Sequence, residues 1–184
     1  GLFPHRPGRP VSGVRLPLLI LKIMLRWLWL SLVVIILDQL SKQLVESSFM
    51  VFETLPVMPS LNLTLAYNEG AAFSFLADQG GWQRWLFVLL ATAVTGVLVV
   101  WLGRLQPADR LVGLALALII GGAMGNLIDR LLFGHVIDFI DAYYGDWHWP
   151  AFNLADSAIF LGVVLMLLDA FRAGRSGGEV ERTD

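Results

Sequence analysis

Four long apolar segments constrain the fold of this chain more than any other feature of its sequence. A helix that spans a bilayer needs about 20 largely apolar residues, within a range of about 17–25. We predict spanning helices over residues 24–40, 85–102, 111–128 and 152–171. The composition agrees, because 57% of the 184 residues are hydrophobic and only 15% are charged. The predicted fold class is therefore an all-α membrane protein with four transmembrane helices.

The distribution of Lys and Arg predicts how these helices are oriented. If both termini lie in the cytoplasm, only Lys42, Arg84 and Arg130 fall in the outer segments, and all other Lys and Arg residues lie inside. Cytoplasmic loops of membrane proteins carry an excess of Lys and Arg. We therefore expect an N-in, C-in orientation, with residues 41–84 and 129–155 on the outer side.

The outer segments and the two ends complete the expected domain organisation. Residues 61–67 alternate apolar with small or polar side chains, which predicts a strand of a small sheet on the outer membrane surface. Residues 1–23 are rich in Gly, Pro and Arg, and we expect a leader with no role in the fold. The membrane domain is predicted over 24–172, its outer loop over about 43–84, and a cytoplasmic tail over 173–184.

Composition also excludes several classes of function. The chain has no cysteine, so disulfides, thiolate catalysis and Cys-ligated metals are excluded. No basic stripe interleaved with aromatic residues is present, and we expect no nucleic-acid partner. No His-x-x-x-His pattern points to a bound metal. We therefore expect neither a metal nor another cofactor.

Polar residues collect at the predicted outer ends of the four helices. Ionisable residues in membrane segments are costly and by default indicate a functional site. The residues of this polar cluster are Asp38, Lys42, Asn68, Gly70, Asn126, Asp129, Arg130, Asp138, Asn153 and Asp156. Asp38 and Lys42 are four residues apart, so they share a helix face and can form an ion pair, which we expect at the membrane interface. Asp129 is expected to order its neighbour Arg130.

Two aspartates of this cluster suit the hydrolysis of a peptide bond. Asp138 lies among apolar neighbours, which raises a carboxyl pKa, and Asp156 lies near a helix N-terminus, which favours a negative charge. Two close carboxylates share one proton, so one can activate water while the other donates to the carbonyl oxygen. The alternative interpretation is that both residues are N-caps, of an outer helix and of the last span.

Three other functions remain open on these residues alone. Intramembrane Asp, Asn and Arg are typical of transporters and proton channels, although the sequence shows no inverted repeat. Aspartates near a membrane surface could bind Mg²⁺ in a phosphotransferase acting on lipid headgroups, although no dense Asp-x-x-Asp cluster is present. A membrane scaffold is the non-enzymatic alternative, and no specific feature supports it.

Five segments of the chain resemble the signature motifs of lipoprotein signal peptidases (signal peptidase II), and they occur in that family's order. They are DQLSK at 38–42, NEGAAF at 68–73, GGAMGNLIDR at 121–130, VIDF at 136–139 and FNLAD at 152–156. A single motif of this length can occur by chance, but five in order are specific. The resemblance covers roughly residues 24–172.

The resemblance implies a role for each matching residue. Asp138 and Asp156 fall on the catalytic dyad of that family. The positions that line or brace its site are Asn68, Gly70, Asn126, Arg130, Asn153 and Ala155. Asp38 and Lys42 fall on positions for which we expect a structural role.

The resemblance also implies a fold, a substrate and a location. The family fold adds an outer β-cradle and a short outer helix to four transmembrane helices. Its substrate is a bacterial prolipoprotein carrying diacylglycerol on the lipobox cysteine, and cleavage occurs immediately before that cysteine. We expect a multi-pass protein of the bacterial inner membrane, in contact with membrane lipid, with its site near the extracytoplasmic face. Globomycin is the expected inhibitor.

Overall fold

In the computed structural model, residues 15–70 and 82–180 are described. Four long helices dominate this part of the chain: α1 (Arg15–Ser48), α2 (Trp82–Leu102), α3 (Arg110–Leu132) and α4 (Leu154–Val180). Each contains a segment long and apolar enough to cross a membrane. Many large apolar side chains on α2 are exposed, including Leu89 and Val97. A soluble monomer does not expose apolar surface on this scale, and the four long apolar helices fit the predicted membrane protein.

Three helix bounds differ clearly from those predicted. The first span does not end near residue 40, because α1 continues to Ser48. Residues 18–55 contain no Gly or Pro that would end the helix earlier. Val45 is buried against the neighbouring sheet, and this packing stabilises the last turns of α1. Helix α1 also begins at Arg15, within the expected leader, and α4 continues to Val180, within the expected tail.

Helix α3 lies at the centre of the helical bundle and contacts α1, α2 and α4. Glycines allow the close approach. A Cβ atom on Gly125 would lie 2.5 Å from Asp38 Oδ2 and 3.3 Å from Ala155 Cβ, and a Cβ on Gly122 would clash with the backbone of Ala155. The glycine-rich segment of α3 therefore brings α1 and α4 together around it.

A four-stranded antiparallel sheet lies beside one end of the bundle. Its order is β1 (Thr54–Met58), β2 (Leu61–Asn68), β3 (Val136–Tyr144) and β4 (Trp147–His148). The strand predicted over residues 61–67 is β2. Val45 of α1 packs with Leu65, Ile137 and Phe139, so one small apolar core fixes the sheet against the helix.

The segment between α3 and α4 is a strand and not a helix. Asp138 pairs with Ala66 inside the β2–β3 ladder, so its interpretation as the N-cap of an outer helix is wrong. β-branched and aromatic residues such as Val136, Ile137 and Phe139 favour a strand here. The described residues between the spanning helices contain no short outer helix. Residues 71–81, which belong to the predicted outer loop, lie outside the described residues.

Candidate active site

Helix packing and the sheet bring the predicted polar residues together. Asp138 comes from β3, Asn68 from the end of β2, Asn126 from α3, and Asn153 and Asp156 from the start of α4. Hydrogen bonds between their side chains connect all five residues. The polar cluster predicted from the sequence is therefore a single connected network.

Asp138 is the buried centre of this network. Its side chain is 2% exposed, and both carboxyl oxygens accept hydrogen bonds. Asn153 Nδ2 donates to Oδ1 at 2.7 Å, and Asn68 Nδ2 donates to Oδ2 at 2.9 Å. Burial raises the pKa of Asp138 to about 7, and although the Asn68 hydrogen bond opposes this rise, the charge of Asp156 adds to it. The predicted upward shift is confirmed.

Asp156 is held by the first turn of α4. Asn153 Oδ1 accepts a hydrogen bond from the Asp156 N–H at 2.9 Å, and Asp156 Oδ2 accepts one from the Asn153 N–H at 3.3 Å. This reciprocal pair is a capping box. The cap of the helix is therefore Asn153 and not Asp156, which corrects the N-cap interpretation. Asp156 keeps its Oδ1 directed at Asn126.

Asn126 connects the two aspartates to the rest of the bundle. Its Oδ1 accepts from Lys42 Nζ at 2.9 Å and from Asn153 Nδ2 at 3.1 Å. Its Nδ2 donates to Asp156 Oδ1 at 2.7 Å. Because ammonium and amide donors hold Oδ1, only one orientation of the Asn126 amide satisfies all three bonds. The network thus fixes which group of Asn126 faces Asp156.

Asp38, Lys42 and Asp129 form a buried ionic triad beneath Asn126. Lys42 Nζ lies 2.8 Å from Asp38 Oδ2 and 2.8 Å from Asp129 Oδ2, and the three side chains are 0–1% exposed. The expected Asp38–Lys42 ion pair is therefore confirmed, and it is buried in the protein interior together with Asp129. The triad is buried because α1 continues past it and α3 covers it.

The two acids of this triad also hold the elements that carry the candidate catalytic residues. Asp38 Oδ1 accepts from the N–H of Ala155 at 2.9 Å, which satisfies a free donor in the first turn of α4. Asp129 Oδ2 accepts from the N–H of Ile137 at 3.2 Å, at the start of β3. Asp129 contacts Lys42 and β3, and its charge also acts on Arg130, so the expectation that it orders Arg130 stays a prediction.

Gln39 also contacts this triad, which was not predicted from the sequence. Gln39 Nε2 donates to Asp129 Oδ1 at 2.8 Å. It thus satisfies the carboxylate oxygen that Lys42 leaves free. Gln39 lies inside the motif at 38–42, and this position is the sequence feature that could have indicated its role.

Arg130 and Gly70 meet at a residue that sequence reasoning also missed, Phe87 of α2. The Arg130 guanidinium lies 5.2 Å from the centre of the Phe87 ring, and Arg130 Nη1 donates to Asn126 O at 3.3 Å. A Cβ atom on Gly70 would lie 2.6 Å from Phe87 Cε2. Gly70 N–H donates to Asn68 Oδ1 at 2.9 Å, so this turn also orients Asn68. Phe87 lies in the apolar helix α2, and nothing in the sequence distinguishes it from the other apolar residues of that helix.

Gly70→Ala is expected to lower kcat/KM for substrate cleavage by roughly 10- to 100-fold. Gly70 has φ +111, and the added Cβ would push against Phe87 and displace Asn68 from Asp138. Gly145→Ala is the matched control, because Gly145 also has a positive φ of +59 but has open space around its Cβ position. Equal activity losses in the two variants would contradict this role of Gly70.

Other polar residues lie outside the network. Asp141 accepts a hydrogen bond from Asn62 Nδ2 at 2.8 Å and lies 2.7 Å from His148 Nδ1. Burial acts to raise the pKa of Asp141, but the hydrogen bonds from His148 and Asn62 hold it below its usual value. The ring of His135 contacts that of Tyr67, with 4.3 Å between the ring centres. Asp146 is exposed.

This arrangement can divide acid and base roles between two carboxyl groups. Asp138 is buried and holds a proton up to about pH 7, while Asp156 lies at a helix N-terminus that favours negative charge. Within the described residues, no group of three or more His, Asp or Glu side chains could hold a metal ion. With a substrate present, one carboxyl group could accept a proton from water while the other donates a proton to the carbonyl oxygen.

Comparisons with known proteins identify the family of this chain. The family model of signal peptidase (SPase) II matches residues 30–172. A lipoprotein signal peptidase from Pseudomonas aeruginosa (strain UCBPP-PA14) is 53% identical over 155 residues, covering 83% of this chain and 92% of that protein. One from Photorhabdus laumondii subsp. laumondii is 56% identical over 147 residues, covering 80% and 88%.

A solved structure has a similar fold. A bacterial membrane enzyme determined by the in meso method matches with a TM-score of 0.71 at 29% sequence identity, covering 79% of this chain and 92% of that chain. The family model spans most of the sequence, including all five motifs and both aspartates. The chain therefore belongs to the signal peptidase II family.

Proposed function

We propose that this signal peptidase II cleaves prolipoproteins with Asp138 and Asp156 as its two catalytic carboxylates. The peptidase activity, its aspartic type and the prolipoprotein substrate class follow from the family. Membership also decides against the transporter, phosphotransferase and scaffold alternatives. The observation that carries the dyad is the shared Asn153 side chain, which donates to Asp138 and accepts from the N–H of Asp156.

In the proposed mechanism, the two aspartates take different protonation states. Asp138 is protonated and donates a hydrogen bond to the carbonyl oxygen of the scissile peptide. Asp156 is ionised and accepts a proton from the attacking water. The capping box and the Asn126 amide keep Asp156 in position, while Asn68 and Asn153 keep Asp138 in position. Arg130, placed by Phe87, adds positive charge beside the pair.

The substrate is proposed to carry diacylglycerol on its lipobox cysteine and to be cut immediately before that residue. With both termini in the cytoplasm, the dyad lies near the extracytoplasmic face of the inner membrane. The distribution of Lys and Arg supports this orientation. At that depth, the lipid chains of the substrate remain in the bilayer while its peptide reaches the polar network. Globomycin is proposed to compete for the same site.

The test is a gel-shift cleavage assay with the purified full chain in detergent. We expect it to cleave a diacylglyceryl-modified prolipoprotein equally well with and without a chelator, and globomycin to stop cleavage. The same prolipoprotein without diacylglycerol is the matched substrate control and should be cleaved poorly. Loss of cleavage on adding the chelator, or equal cleavage of the two substrates, would contradict the proposal.

The activity is expected to fall as pH rises through about 7. The pKa of Asp138 is raised to about 7, so the proton that the mechanism needs is present below this pH and lost above it. A plot of log(kcat/KM) against pH should therefore have a descending limb near pH 7. Thermal unfolding at each pH separates this effect from loss of fold. A rate that stays constant from about pH 6 to 8 would rule out Asp138 as the proton donor.

A further inference from the structure

A second polar site lies at the other end of the helical bundle. A cavity of ≈ 220 Å³ opens there between α1 and α3, and Lys22, Arg26 and Arg110 contribute three cationic side chains to its lining. Among the described residues that line it, Asp109 is the only acid. Asp109 Oδ2 accepts a hydrogen bond from the N–H of Gln106 at 2.8 Å, so its charge is partly engaged. The lining that the structure describes therefore carries a net positive charge.

Its position separates it from the candidate active site. Arg26 precedes Asp38 by about 18 Å along α1, and Arg110 precedes Asn126 by about 24 Å along α3, at a rise of about 1.5 Å per residue. The spanning segment of α3 begins at Arg110. The cavity thus lies where α3 enters the apolar part of the membrane.

Two further features favour an anionic ligand in this cavity. The N-cap residue of α3, Asp109, makes no side-chain hydrogen bond to the helix, and the Arg110 N–H donates to Ala108 O, so the positive end of the helix dipole lies beside the cavity without a side-chain cap. The Arg26 guanidinium lies 5.3 Å from the centre of the Trp27 ring. Trp27 also fills the space beside Gly113, where a Cβ atom would lie 2.5 Å from its Nε1, so this ring is a fixed wall between the helices.

We infer that this cavity binds the phosphate group of an anionic phospholipid headgroup. Basic cavities between membrane helices at the cytoplasmic surface suit such headgroups. Its volume is below the roughly 300–1,000 Å³ of sites for drug-sized ligands, which fits a headgroup whose acyl chains lie outside. Exposed apolar side chains further along α1, Trp29 and Leu32, offer a surface for those chains. The site is independent of the proposed catalytic dyad.

The test compares the full chain with the Arg26→Gln/Arg110→Gln variant in micelles containing phosphatidylglycerol or phosphatidylcholine. Native mass spectrometry counts retained lipid, and thermal unfolding reports stabilisation within each protein. We expect phosphatidylglycerol to raise the Tm of the wild type above its value in phosphatidylcholine. The variant should lose most of this difference and bind phosphatidylglycerol roughly 30-fold more weakly, for about 1 kcal/mol per removed charge.

Arg104→Gln is the matched control, because Arg104 is an exposed cation at the same end of the bundle but outside this cavity. It should behave as the wild type. Unchanged phosphatidylglycerol retention and Tm difference in the double variant would overturn the inference. So would equal losses in Arg104→Gln, which would indicate general charge attraction. If inorganic phosphate or glycerol phosphate stabilises the wild type as strongly as phosphatidylglycerol, the ligand is a soluble phosphate and the lipid assignment is wrong.

Discussion

Asp138→Asn and Asp156→Asn are each expected to abolish prolipoprotein cleavage, with a loss of about 10³-fold or more in kcat. An amide at position 138 cannot deliver a proton to the carbonyl oxygen. An amide at position 156 cannot accept one from water. Both variants keep the size of the side chain, and the amide oxygen introduced at position 156 can still accept from the Asn153 N–H in the capping box. The gel-shift assay with diacylglyceryl-modified substrate measures the loss.

A control variant separates catalysis from charge and fold. Asp146→Asn removes an exposed carboxylate from the β3–β4 turn and should leave kcat unchanged. Asp138→Asn turns an NH2 group towards one of the two amide donors, Asn68 or Asn153, so we expect a lower Tm, and kcat is compared at a temperature at which both proteins are folded. Either dyad variant retaining more than about a tenth of wild-type kcat would mean that this residue is not catalytic.

Lys42→Met is expected to have the largest effect on stability, about 3–5 kcal/mol in the free energy of unfolding. Methionine has a similar length but leaves Asp38 and Asp129 buried without a counter-charge. Asn126 also loses one of the two donors to its Oδ1, and only Asn153 then holds its amide in the orientation that faces Asp156. Denaturant unfolding in detergent gives the stability, and the cleavage assay gives kcat.

The triple variant Asp38→Asn/Lys42→Met/Asp129→Asn distinguishes the two roles of Lys42. All three buried charges are removed together, and the amide oxygen introduced at position 38 can still accept from the Ala155 N–H, so most of the stability should return. Activity should remain low, because Asn126 still lacks the lysine donor. If activity returns with stability, Lys42 only supports the fold. If stability does not return, unpaired buried charge is not the cause of the loss.

The sequence was sufficient for the features that depend on local pattern. Length and apolarity determine the four spanning helices, because a bilayer requires about 20 apolar residues of any kind. Alternation over residues 61–67 predicts β2, since successive side chains of a strand point to opposite faces. The cost of polar groups in lipid singled out the residues of the site, and the apolar neighbours of Asp138 predicted its raised pKa.

Only the tertiary structure decided which of these residues touch. Lys42 and Asn126 are 84 residues apart, and Asp38 and Ala155 are 117 apart, so no local pattern records these bonds. They form because the glycines of α3 let α1 and α4 approach closely. The same packing buried an ion pair expected at the interface and placed Phe87 against Arg130. A sequence determines the preferences of each segment, whereas hydrogen-bond partners between segments depend on how tightly the helices and the sheet pack together.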